Sequence, residues 1–178
     1  MKLKQFNFKK VKSTNQTAIR LIKSSKNEFG LIVSEAQSKG KGQYGRKWIS
    51  YKGNLFASFF HPFDENKFSI ERVTKLNCNL VKQTLSKYIK NKINFKKPND
   101  LLINKKKISG ILQEIITKSD KKFLITGIGI NVIKNPNIKN YPSTNLYRIT
   151  GKKINKSELE KNLKLVFEKR ISKMYKIN

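Results

Sequence analysis

The apolar residues of this chain follow two rhythms, and together these divide it into short strands and longer helices. Residues 2–9 alternate well enough for an edge strand. Ser13-Thr14-Asn15 offers N-cap chemistry ahead of a helix running to about Lys26. Gly30 to Ala36 is short, β-branched and apolar, which predicts a buried strand, and Asn54 to Phe60 predicts another. Between them lies a polar, glycine-punctuated loop from Gln37 to Lys47. From Ser69 to Lys90, Ile70, Val73, Leu76, Leu80, Val81, Leu85 and Ile89 recur at helical spacing. Three strands follow, near 101–103, 107–117 and 121–132, with turns at Asn104-Lys105 and Ser119-Asp120. Residues 133–145, with Pro136 and Pro142, read as a loop. Ser157-Glu158-Leu159-Glu160 has the form of a capping box and opens a last helix. The sum is an α+β (mixed α/β) domain, a mixed sheet with helices packed on it.

Composition changes this picture little. The chain has 178 residues, enough for one domain with a full core, and 37% of them are hydrophobic. No apolar run is long enough to span a bilayer, and the first residues lead into no signal-peptide core. A cytoplasmic protein without a membrane partner is the expectation. A lone cysteine, Cys78, excludes an internal disulfide, and neither it nor His61 has a credible partner for nucleophilic chemistry.

The formal charge of +29 raises the question of a nucleic-acid partner. The cations are overwhelmingly Lys; Arg20, Arg46, Arg72, Arg148 and Arg170 are the arginines. With so much Asn and Ile beside them, the lysines suggest a genome biased towards A and T, which replaces Arg by Lys without functional demand; the other reading is a positive surface that speeds encounters with acidic partners. The aromatics fall in strand and helix patterns and not in an exposed groove, so no specific nucleic-acid partner is expected.

Three constellations could carry chemistry, the second made of residues 96–100 followed by 107–112. Lys39 to Trp48 holds three glycines, Gly40, Gly42 and Gly45, among Lys41, Arg46 and Lys47. Such a loop can turn successive N–H groups on an anion, although its spacing is not that of a P-loop, and it could equally be a mobile surface loop. In Lys96-Lys97-Pro98-Asn99-Asp100, Asp100 reads as a magnesium or ribose ligand and Asn99 as a hydrogen-bonding group. Lys107 opens an apolar strand, Lys107-Ile108-Ser109-Gly110-Ile111-Leu112. Either it is covered and needs an anionic partner, or it ends the 105–107 lysine run in solvent, and the residues alone favour the second. In Thr126-Gly127-Ile128-Gly129-Ile130-Asn131, the two glycines suggest close approach of a ligand or another backbone, and Asn131 is a polar residue ending a buried strand.

Taken together and in order, these pieces resemble the biotin–protein ligase family. Ser13-Thr14-Asn15 matches the family's S-T-N, and residues 37–48 match its Q-x-x-G-R-G-R-x-G-R-x-W loop. Gly53-Asn54-Leu55 matches G-N-L, residues 96–100 match K-W-P-N-D, residues 107–112 match K-x-x-G-I-L, and residues 127–131 match G-I-G-I-N. Ser143-Thr144-Asn145-Leu146 is similar to A-T-S-L. The matches run from residue 13 to about 146.

The resemblance implies a class II synthetase-like sheet, shared with lipoate ligases. It also implies an enzyme that activates biotin with ATP and Mg2+ and attaches it to a lysine of a biotin carboxyl carrier domain of a carboxylase. By the same resemblance Ser13, Thr14, Asn15 and Gln37 would line the biotin pocket. Gly40, Lys41, Gly42, Gln43 and Arg46, with Gly110, would close on biotin and the adenylate. Lys107 would be the catalytic cation between the two anions. Trp48, Lys96, Asn99, Asp100 and Asn131 would serve ATP, with Asp100 on the metal side.

Two positions depart from the pattern: Gln43 stands where many members have arginine, and Lys97 replaces the tryptophan of K-W-P-N-D. A single catalytic domain over residues 1–178 is expected, without an N-terminal helix-turn-helix and without the small C-terminal β domain common in the family; a homodimer is left open. The rival readings are a lipoate or octanoate ligase, a degenerate biotin-binding homologue and, more remotely, a basic nucleic-acid-binding module.

Overall fold

In the computed structural model, which describes residues 2–175, seven strands form one mixed sheet. The strands are β1 (Lys4–Phe8), β2 (Gly30–Ser34), β3 (Leu55–Pro62), β4 (Ile93–Lys96), β5 (Asp100–Ile103), β6 (Lys106–Lys118) and β7 (Lys121–Ile130). The helices are α1 (Thr14–Ser24), α2 (Ile70–Leu85), α3 (Leu146–Thr150) and α4 (Lys156–Tyr175). Spatial order is β1-β2-β3-β7-β6-β5-β4; β1 and β2 are parallel and every other pair is antiparallel. The expected edge strand is indeed an edge. Both expected turns take left-handed backbone, with φ of 48° and 63° at Asn104 and Lys105 and of 45° and 60° at Ser119 and Asp120, as a tight two-residue hairpin requires.

Strand alternation divides the core. Leu55, Ala57 and Phe59 of β3 face α2 and α4 in the larger cluster, where Phe59 and Phe167 stack with ring centroids 4.0 Å apart. Phe60 faces the other way, joining Ile32, Phe123 and Ile125 beneath Ala18 and Ile22 of α1. On this second face α1 covers only part of the sheet. Beyond its N-terminus the floor is made of glycines and short polar side chains, and the pocket opens there.

Four differences from the sequence reading have simple causes. Strand β4 was not anticipated, because four residues are too few to show a period. Helix α3 was not anticipated either; it is a single short element whose N-cap, Asn145, accepts from the Arg148 N–H at 2.8 Å. The last helix is capped by Asn155, whose side-chain oxygen accepts from the Glu158 N–H at 3.2 Å, so Ser157 lies inside the helix and not at its cap. Ser13 is the N-cap of α1 but makes no capping hydrogen bond with its side chain; the Thr14 N–H is instead satisfied by Gln37. Among the described residues, no helix is long and apolar enough to cross a membrane.

Candidate active site

The first turn of α1, the 37–50 loop, the β4–β5 turn, the middle of β6 and β7, and the 133–143 segment enclose a cavity of about 720 Å³. Its floor is flat because Gly110, Gly127 and Gly129 have no side chains to raise it. A Cβ on Gly129 would lie 2.4 Å from the Trp48 indole, and one on Gly127 would lie 2.3 Å from Asn15 Oδ1. The glycines thus serve a close approach, as their pattern suggests, but the approach is by two side chains and not by another backbone.

At one end sits the Ser13-Thr14-Asn15 motif, whose three side chains are buried. The Thr14 N–H and hydroxyl both donate to Gln37 Oε1, at 2.8 and 3.1 Å, and Gln37 Nε2 donates to Ser50 Oγ at 3.1 Å. The glycine loop is therefore anchored to α1 through one glutamine. The loop itself is a narrow excursion: Trp48 N donates to Gly40 O at 2.9 Å, and Gly42 N to Arg46 O at 2.7 Å. Gly40 is needed there for room, since a Cβ would meet Trp48 O at 2.5 Å. Only Gly45 among the loop's three glycines has positive φ, and Tyr44 beside it does too. Lys41, Tyr44, Arg46 and Lys47 are exposed.

At the other end Lys107 is the central charge. Its Nζ lies 2.6 Å from Asp100 Oδ1, with side chains 21% and 7% exposed respectively. Lys107 is thus covered and paired, and not at the solvent-exposed end of the lysine run that the residues alone favour, because Asp100 supplies the anionic partner. Beyond this ion pair Asp100 Oδ1 has no other partner among the described residues and keeps accepting capacity. Lys107 Nζ also stands 5.2 Å from the Trp48 ring and 5.8 Å from that of Tyr141, within reach of cation–π attraction. Lys96 Nζ, at 4.9 Å, and the Arg46 guanidinium, at 5.5 Å, gather on the same Tyr141 ring. Lysines 41, 47 and 107 and Arg46 line the cavity against one carboxylate, Asp100, so the site is built for an anion.

Asn99 and Asn131 act first on the framework. Asn99 Nδ2 donates to Ile111 O at 2.5 Å, and Asn131 Nδ2 donates to Thr144 O at 3.0 Å, tying the 143–145 segment to the end of β7. Asn131 Oδ1 and Trp48 Nε1 are buried without a hydrogen-bond partner among the described residues. Both residues line the cavity, and buried polar atoms of this kind ordinarily meet a ligand or water.

Of the residues singled out from the sequence, Ser13, Thr14, Asn15, Gln37, Lys41, Gly42, Gln43, Arg46, Trp48, Asn99, Asp100, Lys107, Gly110 and Asn131 line this one cavity. Gly40 lies beneath the loop, and Lys96 borders a small side recess shared with Asp100, Lys107 and Tyr141. Sequence reasoning missed Tyr141 and Ile138, which sit in a loop with no recognisable motif. Lys97, in the tryptophan's place, is exposed and lies 3.9 Å from Glu71. Cys78 and His61 are outside the site: burial raises the Cys78 thiol to about 12, and desolvation lowers His61 to about 4. Among the described residues no group of three or more His, Cys, Asp or Glu side chains could hold a metal ion.

Mixed sheet, glycine loop and a cavity whose charged lining is cationic but for Asp100 define an α+β domain with an anion-binding site. The description Biotin/lipoate A/B protein ligase family matches residues 7–131, and the chain belongs to that family. It is 34% identical over 166 residues to the bifunctional ligase/repressor BirA of Bacillus subtilis, covering 89% of this chain and 50% of that protein. It superposes on the biotin protein ligase of Aquifex aeolicus in complex with biotin and ATP with a TM-score of 0.79 and 29% identity, over 98% of this chain and 73% of that one. A lipoate protein ligase from Thermoplasma acidophilum shares the fold alone, with a TM-score of 0.66 and 13% identity over 96% of this chain and 84% of that one. The chain spans about half the length of the Bacillus relative.

Proposed function

We propose that this protein activates biotin with ATP to biotinyl-5'-AMP and passes the biotin to a lysine of a biotin carboxyl carrier domain. The observation that carries the reading is Lys107, a largely covered cation held at 2.6 Å from Asp100, the one carboxylate in a cavity whose other charged lining residues are Lys41, Arg46 and Lys47.

In the first step an oxygen of the biotin carboxylate attacks the α-phosphorus of ATP, and pyrophosphate leaves. Two anions must meet, and the site must cancel their repulsion. A lysine about 4 Å from each is worth roughly 4 kcal/mol per contact at an effective dielectric of 20, and about 1 in water. Lys107 would stand between them, and ordering the 40–47 loop over the ligands would keep water out. Ser13, Thr14, Asn15 and Gln37 would hold the biotin ring end. Trp48 and Asn131, with their unpaired buried atoms, would meet the nucleotide beside Asn99. Magnesium would neutralise the departing pyrophosphate. A single carboxylate suits an ion that keeps several waters and phosphate oxygens, and Asp100 would supply it. In the second step the neutral amine of the carrier lysine attacks the acyl carbon, AMP leaves, and the amine proton is lost to solvent. No covalent enzyme intermediate is required, in keeping with the inert, buried Cys78.

The test is ATP–pyrophosphate exchange by the purified protein with biotin, lipoate, octanoate or no acid, repeated with Lys107→Ala. Exchange that requires biotin and falls at least a hundredfold in the variant is the expected result. Exchange with lipoate or octanoate alone would overturn the substrate. No exchange with any acid, from folded protein, would overturn adenylation.

A further inference from the structure

Glu114 lies on β6, outside every motif of the sequence and outside the cavity lining, and among the described residues it has no ion-pair partner. It is half-buried, and its Oε2 accepts from Asn15 Nδ2 at 2.7 Å. The same Nδ2 donates to Leu112 O at 3.3 Å. Asn15 Oδ1 in turn accepts from the Ser58 hydroxyl at 2.6 Å, a fully buried contact in which Ser58 is 0% exposed. Gly127 provides the seat, since any Cβ there would strike the Asn15 amide.

These contacts settle which way round the Asn15 amide stands. A backbone carbonyl and a carboxylate can only accept, so the NH2 must face them. Both of its hydrogens are then spent inside the protein. One of the two lone pairs of Oδ1 is taken by Ser58, and what Asn15 has left for the cavity it lines is a single acceptor. With the amide reversed, the cavity would meet a donor instead, and Leu112 O and Glu114 would face an oxygen.

We infer that Glu114 is a positioning residue that fixes the polarity of Asn15, so that this end of the cavity recognises an acid whose head carries a neutral N–H donor. The inference rests on the proposed function and deepens it: the carboxylate end of the substrate is drawn to Lys107, and its head is read by an acceptor held in place from behind. An acid with a purely apolar head gains nothing from that acceptor, and one with an anionic head is repelled by it. A cavity that offers an acceptor to an N–H group discriminates more strongly than one that merely fits a shape.

The experiment measures biotin binding by calorimetry without ATP, and the KM for biotin and for ATP in pyrophosphate exchange. It uses the whole protein with Glu114→Ala and Glu114→Gln. Glutamine keeps an acceptor oxygen for Asn15 and alanine does not. The expected result is a roughly ten- to hundredfold loss of biotin affinity in Glu114→Ala, a matching rise in the biotin KM, an ATP KM within about twofold, and recovery to within about threefold in Glu114→Gln. Equal affinity in Glu114→Ala and the wild type overturns the inference. So does an equal loss in both variants, or a rise of both KM values together, which would mean a merely structural role. Biotin binding without exchange in the wild type would sink adenylation and leave the Glu114 comparison readable from binding alone. A wild type that binds no biotin would overturn both.

Discussion

Gln43 lines the cavity between Lys41 and Arg46, on a single 3₁₀ turn that carries two residues at positive φ. Where many family members have arginine, it offers an amide, and a neutral donor holds a phosphate with roughly half the strength of a charged one. The loop is exposed, so solvent screening trims the gain from restoring the charge to about 1 kcal/mol. Gln43→Arg is therefore expected to slow release of the adenylate about fivefold, read by trapping labelled biotinyl-AMP after gel filtration. The empty loop gains a like charge beside Lys41 and Arg46, so the thermal stability of the unliganded protein should fall slightly in the same variant. Unchanged release would place the phosphate elsewhere than at Gln43.

At the scale of elements, long apolar periods were legible and short or polar pieces were not. The 121–130 and 106–118 strands announce themselves by composition and by two-residue turns, and α2 by its apolar stripe. Strand β4 and helix α3 owe their existence to neighbours: β4 to its pairing with β5, α3 to the hydrogen bonds that carry Leu146 N and Tyr147 N to Asn131 O and Val132 O. The motif residues of the site were legible because a matched set of residue types in order is informative. Glu114 and Tyr141 were not, because their roles depend on which strand or loop faces which. Asn54 joins both kinds. Its fully buried Oδ1 accepts from the N–H groups of Val132, Ile133 and Lys134 at 3.0, 3.1 and 3.2 Å, and so launches the 133–145 segment off the end of β7. Asn54→Ala orphans these donors and should cost about 2–5 kcal/mol, measured by urea unfolding. A loss below 1 kcal/mol would mean that the segment is held chiefly by its other contacts. The far end of α4 is fixed by Tyr175, which donates to Pro62 O beside His61 Nδ1. Burial drives His61 to about 4 against 6.5, outweighing its bond to Pro62 O. The folded state therefore resists protonation. The stability tied to neutral His61 is complete above pH 6.5 and falls by about 1.4 kcal/mol per pH unit below it, to a loss of roughly 3 kcal/mol near pH 4. Melting curves from pH 7.5 to 4 should show a shallower decline in His61→Phe than in the wild type; parallel curves would exclude this histidine.

The whole molecule carries 40 basic and 11 acidic side chains, and the two half-reactions should sense that excess differently. Biotin and ATP are small and are held at close quarters by Lys107 and the glycine loop, where screening by salt is weak. A carrier domain is a macromolecule that must find the cavity mouth by diffusion. If it is acidic, the long-range field raises its encounter rate, and that field is cut off beyond a Debye length of about 8 Å at physiological ionic strength. Raising salt from 50 to 200 mM should then slow transfer to an acidic carrier roughly tenfold while pyrophosphate exchange changes less than twofold. The same excess would draw in DNA without reading it, so any DNA binding should be sequence-blind and vanish over that range. A transfer rate as indifferent to salt as the exchange rate would mean that the lysines do not steer the carrier. The positive surface would then be the residue of a compositional bias that replaced arginine by lysine without functional demand, with function confined to the few cations that meet in the cavity.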